Sequence, residues 1–322
     1  MADFNYSNSR IDAILAKAEA LFRKRFIEAV KTIRDTTTLD ELETLLFQRR
    51  FDEALIQAEV AATNLSNAYV QAYVLAADDV MEFISDSIGI TVQFDQMNTQ
   101  AVTQMREASL RLVREFTSGQ RQSTRTALIE GIRQGLNPRD QARLFQQSIG
   151  LTVKQVRAVA NFRRLLEQGS ARALTRQLRD RRFDGSIRRA ISGDRALSAD
   201  QIDRMVDRYY TRSLAFRAEA IARTESLQAV DAAGDRAFQQ AIDAGLIDDE
   251  LSQTWHTAGD ARVRVPSHTF MSGQVRPFGQ PFLSGTGNLL RYPGDPRAPG
   301  HDTIKCRCTK STRFTSDIPV AA

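Results

Sequence analysis

The side chains best suited to chemistry gather near the end of the chain. All three histidines, His256, His268 and His301, lie beyond residue 250, as do both cysteines, Cys306 and Cys308. His268, His301, Cys306 and Cys308 are ligand types for zinc, which takes imidazole nitrogen and thiolate sulfur. Structural zinc sites usually separate paired cysteines by roughly two to four residues, so Cys-x-Cys is an unusual spacing. The plainer reading is two thiols packed in a small core, with the histidines bonded to backbone; no metal and no cofactor is expected. His301-Asp302 and Asp260 suggest hydrolysis by a metal-bound water, but no paired-carboxylate spacing surrounds them. Cys306 and a histidine suggest a thiol nucleophile, yet nothing in the sequence sets a histidine beside it or supplies an oxyanion hole. Gly285-Thr286-Gly287 is too short for a phosphate-binding loop and opens no helix. No catalytic residue is assigned, and the chain is not expected to be an enzyme.

A second group is basic. Arg157, Arg163, Arg164, Arg172, Arg176, Arg179, Arg181, Arg182, Arg188 and Arg189 fall within 33 residues. Such clusters bind phosphate backbones by releasing counterions, without reading base sequence. Aromatic interleaving is limited to Phe162 and Phe183, so base stacking is not expected. If this stretch is helical, Arg172, Arg176 and Arg179 share one face. The partner that fits is a DNA backbone or an acidic protein surface; a merely solvated face is the third reading.

These groups must be positioned by the elements around them. The net charge of +5 conceals three segments: residues 1–100 hold 9 basic and 16 acidic side chains, residues 101–225 hold 25 and 13, and residues 226–322 hold 10 and 10. Up to residue 245 the spacing is helical almost throughout. Ile11, Ile14, Leu15, Ala18, Leu21, Phe22, Phe26, Val30 and Ile33 recur at three- and four-residue steps, with Ser9 as N-cap. Thr38 with Glu41 is a capping box. It opens a segment to Ser87 that is either one helix of about 50 residues, roughly 75 Å long, or two helices broken near Arg49–Phe51. Gly89–Asp95 alternates as a short strand or an extended connection. Helices follow at Thr99–Thr117 and Ser123–Gln134, then after the Asn137-Pro138 cap. Capping boxes at Thr152/Gln155 and Ser198/Gln201 start two more, the last running to Gly245. Beyond it lie seven of the eight prolines and the only tryptophan, which is turn-and-strand composition. The fold expected is mainly α: an elongated multi-helix body with a small C-terminal α+β domain. The segments are 1–97 (acidic, long helices), 98–245 (basic, helical) and 246–322 (α+β). No apolar run is long enough to span a membrane, and Met1–Arg10 holds no secretory h-region.

An ordered set of motifs crosses the last boundary. Ile221-Ala-Arg-Thr-Glu225 sits on the long helix, and Thr254-Trp255, Asp260-Ala-Arg262-Val-Arg264 and His268 follow. Then come Gly273, Phe278, Phe282, Tyr292-Pro-Gly-Asp295 and Ile304-Lys-Cys-Arg-Cys308-Thr309. In that order the set resembles the C-terminal domain of the Mu F-like phage head-morphogenesis family, over roughly residues 205–312. Its signature positions here are Arg223, Glu225, Trp255, Asp260, Arg262, Arg264, His268, Gly273, Pro293, Gly294, Cys306, Arg307 and Cys308. One departure is Lys305, where the family often has asparagine. The resemblance implies a minor head protein of a tailed phage, built into the head in few copies and assembled in the host cytoplasm. It implies the portal protein as partner, with the major capsid or scaffolding protein and packaged DNA as further ones, no membrane anchor, and room for self-association. Its role would fall in prohead assembly, DNA packaging or delivery. Two alternatives are an architectural DNA-binding protein and a metal-dependent hydrolase or toxin in the last 75 residues. Within the domain, Arg223, Glu225, Asp260, Arg262, Arg264 and His268 are expected to form a polar network that fixes it to the end of the long helix. Arg262 and Arg264 would share one strand face in that network.

Overall fold

The computed structural model describes residues 2–35, 38–48, 50 and 57–316. It is mainly helical with a small sheet. The chain packs as two compact units. One comprises Met1–Arg25, Leu65–Leu110 and Glu219–Ala322; the other comprises Phe26–Asn64 and Arg111–Ala218. These groupings do not follow the three charge segments of the sequence. Among the described residues, no helix is long and apolar enough to cross a membrane.

The first unit is built on a four-stranded antiparallel sheet in the order β1 (Ala2–Tyr6), β6 (Thr309–Ser316), β2 (Ser252–His256), β3 (Val275–Pro277). β1 lies where the sequence offers only a polar start. Its five residues pair with β6 in a register that sets Phe4 opposite Phe314. A further hairpin pairs β4 (Phe282–Leu283) with β5 (Leu289–Leu290). Against the sheet lie residues of three helices: α1 (Asn8–Asp35), α3 (Gln57–Ile88) and α8 (Ala199–Asp243). The faces they bury are rich in small residues, including Ala68, Ala72, Ala76 and Ala77 on α3 and Ala222, Ala229, Ala233, Ala237 and Ala241 on α8. Phe238 meets Tyr6 and Phe314 edge to face, as Phe83 meets Phe314, with centroids 5.9 Å apart, and Phe83 tilts against Tyr6 at 5.4 Å. Such pairs add about 0.5–1.5 kcal/mol beyond their buried area. Tyr6 Oη and Arg10 Nε both donate to Asp79 Oδ2 at 2.7 Å, which fastens β1 and the start of α1 to α3.

The second unit is helical. α2 (Leu39–Phe47) packs on α5 (Pro138–Gln146) around Leu42, Ala142 and Phe145, with Leu128 of α4 (Thr99–Arg133) beside them. α6 (Val153–Glu167) stacks Phe162 on Tyr209 of α8 at 4.6 Å. α7 (Asp184–Ile191) follows two 3₁₀ turns, Ala171–Thr175 and Arg181–Phe183. Gly150, at φ +78°, lies where a Cβ would stand 2.6 Å from Val30 and 2.7 Å from Leu214, so no larger residue fits the turn.

The local signals hold where they are local. Both halves of the Thr38/Glu41, Thr152/Gln155 and Ser198/Gln201 boxes form, and Asn137 caps α5 with Pro138 in its first turn. Two expectations change, and two open alternatives are decided. α1 begins at Asn8, with Ile11 N–H on the Ser7 carbonyl, so Ser9 is already inside the helix. The stretches expected at 99–117 and 123–134 fall in one helix, Thr99–Arg133, because Ser123 and Thr124 turn their hydroxyls back onto the Gln120 carbonyl instead of capping a new start. The segment from Thr38 to Ser87 is α2 and α3 rather than one helix. α2 closes with Arg50 N–H on the Leu45 carbonyl; Arg49 and Phe51, where the sequence points to a break, lie outside the described residues. Gly89–Asp95 is an extended connection and not a strand, with Val92 N–H on Ser85 Oγ.

Candidate functional site

The candidate site lies in the first unit, where the turn before β6 meets α8 and a short helix, α9 (Ser267–Met271). Two consecutive residues of α8 grip that turn. Arg223 Nε donates to the Cys306 carbonyl at 2.8 Å, and Thr224 Oγ1 accepts from Lys305 N–H at 3.0 Å. The turn itself follows α10 (Gly300–Thr303), and Cys306 N–H closes onto the Thr303 carbonyl. Lys305 reverses the chain at φ 57°, the left-handed region that asparagine tolerates better than lysine.

Three groups converge inside the turn. His268 Nδ1 is 3.3 Å from Cys308 Sγ and 3.6 Å from Cys306 Sγ, and all three residues are buried. The Cys306 and Cys308 sulfurs and a ring nitrogen of His268 lie within 4.8 Å of one another. The opposite nitrogen, Nε2, has no hydrogen-bond partner among the described residues and faces Asp302 Oδ1 at 3.8 Å. Asp302 is wholly buried and accepts from Ser267 Oγ at 2.5 Å and Asn288 Nδ2 at 2.8 Å. Burial raises the Asp302 carboxyl, but those two hydrogen bonds, together with the neighbouring His301 and His268, outweigh it and hold the group below its usual range. Donation from Cys308 draws the Cys306 thiol down against the cost of burial, and the same bond together with burial pushes the Cys308 thiol up. The fully buried Trp255 ring meets the His268 ring edge to face and fixes its plane. Gly285 passes so close to the Pro266 carbonyl that any Cβ would collide with it, and its N–H donates to the Ser267 carbonyl. The glycine of that turn is therefore a packing requirement.

Outside this cluster lies an open cleft of about 820 Å³. Arg23, Arg223, Arg262, Arg264, Lys305 and Arg307 line it, against Asp12, Glu19 and Glu219. Arg223 Nη1 meets Glu19 Oε1 at 2.5 Å, and Arg307 pairs with Asp260.

The expected polar network forms in altered shape. Arg223, Asp260, Arg264, His268 and the Cys306–Cys308 turn come together, but residues 257–266 contain no strand. Arg262 and Arg264 therefore share no strand face. Arg262 reaches back to Asp260 at 3.3 Å with its side chain 75% exposed, while Arg264 donates to the carbonyls of Asp302 and Ile304. Gly273 N–H bonds the Trp255 carbonyl, and Gly294, after Pro293, packs against Leu227 of α8. Glu225 is buried on α8. His301 stays out of the cysteine cluster, its side chain 65% exposed and its Nε2 3.6 Å from Asp302. His256 bonds Ser311. Spacing gives no sign of Ser267, Asn288 or Glu19. Asp302 is visible in the sequence only as the neighbour of His301.

The basic stretch sorts into two kinds of arginine. Residues 172–179 are not α-helical, so Arg172, Arg176 and Arg179 share no helical face. Arg163 pairs with Asp203 at 2.5 Å, and Arg179 grips both oxygens of Asp184 at 2.9 Å. Arg182 bonds Asp180 and holds its carboxyl at about 2. Arg176, half-buried, offers its carbonyl to Arg179. Arg164, Arg172, Arg181, Arg188 and Arg189 are exposed. No protein-family model matches the chain, and no curated protein or solved structure matches it either.

Proposed function

We propose that this chain is a minor head protein of a tailed bacteriophage, associated with the portal vertex and acting in prohead assembly, DNA packaging or delivery. What supports the reading is the order and convergence of the signature residues. Motifs spread from Arg223 to Cys308 meet in one network, in which α8 holds the turn before β6. A module of this kind serves to fix one arrangement of a loop-rich domain, a structural rather than a catalytic task. The exposed arginines Arg164, Arg172, Arg181, Arg188 and Arg189 suit a polyanion, either packaged DNA or an acidic portal surface. Quantitative mass spectrometry of filled virions and DNA-free proheads tests the assignment. Few copies relative to the shell protein, in both particles, are expected. Absence from both would overturn it and bring forward the DNA-binding and hydrolase alternatives.

A further inference from the structure

We propose that His268, Cys306 and Cys308 bind one zinc ion, with Asp302 as the carboxylate behind the histidine. This does not rest on the head-protein reading. One imidazole nitrogen faces two sulfurs, at 3.3 and 3.6 Å. Hydrogen bonding alone could link the three groups in a chain, since Cys308 N–H also reaches Cys306 Sγ at 3.5 Å, but it does not require one nitrogen to stand at nearly equal distances from two sulfurs. An ion at the centre uses both. With Zn–S about 2.3 Å and Zn–N about 2.0 Å, tetrahedral geometry separates nitrogen from sulfur by about 3.5 Å, close to what is seen here. The second observation is the far side of the ring. Buried His268 Nε2 has no hydrogen-bond partner among the described residues and faces the Asp302 carboxylate, the arrangement by which a carboxylate orients a ligating histidine. Two thiolates and a dication also sum to zero charge, which a buried site requires, and thiolate with imidazole selects zinc over magnesium or calcium.

Beside His268 and Cys308 lies a cavity of about 20 Å³, lined also by Ala258, Val263, Arg264 and Lys305, which would supply the fourth position. That is room for about one water. The ligand set is thus two sulfurs, one nitrogen and one solvent molecule.

The test uses the full chain purified without chelator. One zinc per chain by elemental analysis is expected. Cobalt(II) in its place should give thiolate-to-metal charge-transfer absorption, and refilling the stripped protein should release protons. His256→Ala and His301→Ala should keep the metal, and Asp302→Asn should weaken binding about 10–100-fold. Cys308→Ser should lose the charge-transfer band. Should that variant not fold, thiol labelling of the parent protein decides: zinc should shield both cysteines and a chelator should expose them. Absence of bound zinc, with no cobalt band and equal labelling with and without zinc, would overturn the site. Loss of metal in His301→Ala would overturn this ligand set.

Discussion

The Arg223 guanidinium donates at once to the Cys306 carbonyl at 2.8 Å and to Glu19 at 2.5 Å. One side chain thereby joins α8 to α1 and to a turn 83 residues further along the chain. Arg223→Ala leaves a part-buried carboxylate and a carbonyl unpaired, for an expected loss of about 1–3 kcal/mol. Arg223→Lys reaches only one partner and should fall between. The urea midpoint reads both; a midpoint unmoved by alanine would mean that water serves the two acceptors equally well.

Lys305 sits at φ 57°, where a side chain branched at Cβ is most strained. Lys305→Val should therefore cost about 1–3 kcal/mol, while Lys305→Asn should be at least as stable as the parent. Equal melting temperatures for the valine and lysine proteins would show that the turn relaxes to another conformation.

Asp231 on α8 is buried, and burial chiefly pushes its carboxyl well above the ordinary value of 3.8; Lys310 and Arg223 oppose that rise and Asp235 adds to it. The folded chain thus keeps a proton that the unfolded chain has lost. Its contribution to stability is full below pH 3.8 and is lost as pH rises toward the folded-state value, by at most roughly 1.4 kcal/mol per pH unit. Asp231→Asn should flatten this slope, so its thermal advantage should grow between pH 4 and pH 8. A parallel pair of curves would rule out a protonated Asp231.

The arginines should divide by experiment as they divide in the fold. Arg163→Ala and Arg179→Ala remove partners of Asp203 and Asp184 and should lower the melting temperature. Arg188→Glu and Arg189→Glu should leave it unchanged, weaken duplex DNA binding, and reduce the salt slope by about 0.9 for each phosphate no longer neutralised. An unaltered salt slope would remove DNA as the partner of this stretch and favour an acidic protein.

The capping boxes, the Asn137-Pro138 start and the end of α8 near Gly245 are readable from sequence because each is settled within one helical turn. Thr152 and Gln155 bond each other wherever the rest of the chain goes. Local bonding also explains a misreading: Ser123 and Thr124 look like helix starts but bond back to Gln120 once the helix continues through them.

Sequence alone carries a mainly helical chain, its principal caps, its segmented charge and the order of motifs from Arg223 to Cys308. Tertiary packing is what closes β1 against β6, over 300 residues away. The same packing sets His268 between the Cys306–Cys308 turn and Asp302, and commits Arg163 and Arg179 to internal carboxylates. Periodicity and capping record contacts a few residues apart. Strand partners, buried ion pairs and ligand clusters depend on which apolar faces are removed from water together, and spacing along the chain does not encode that choice.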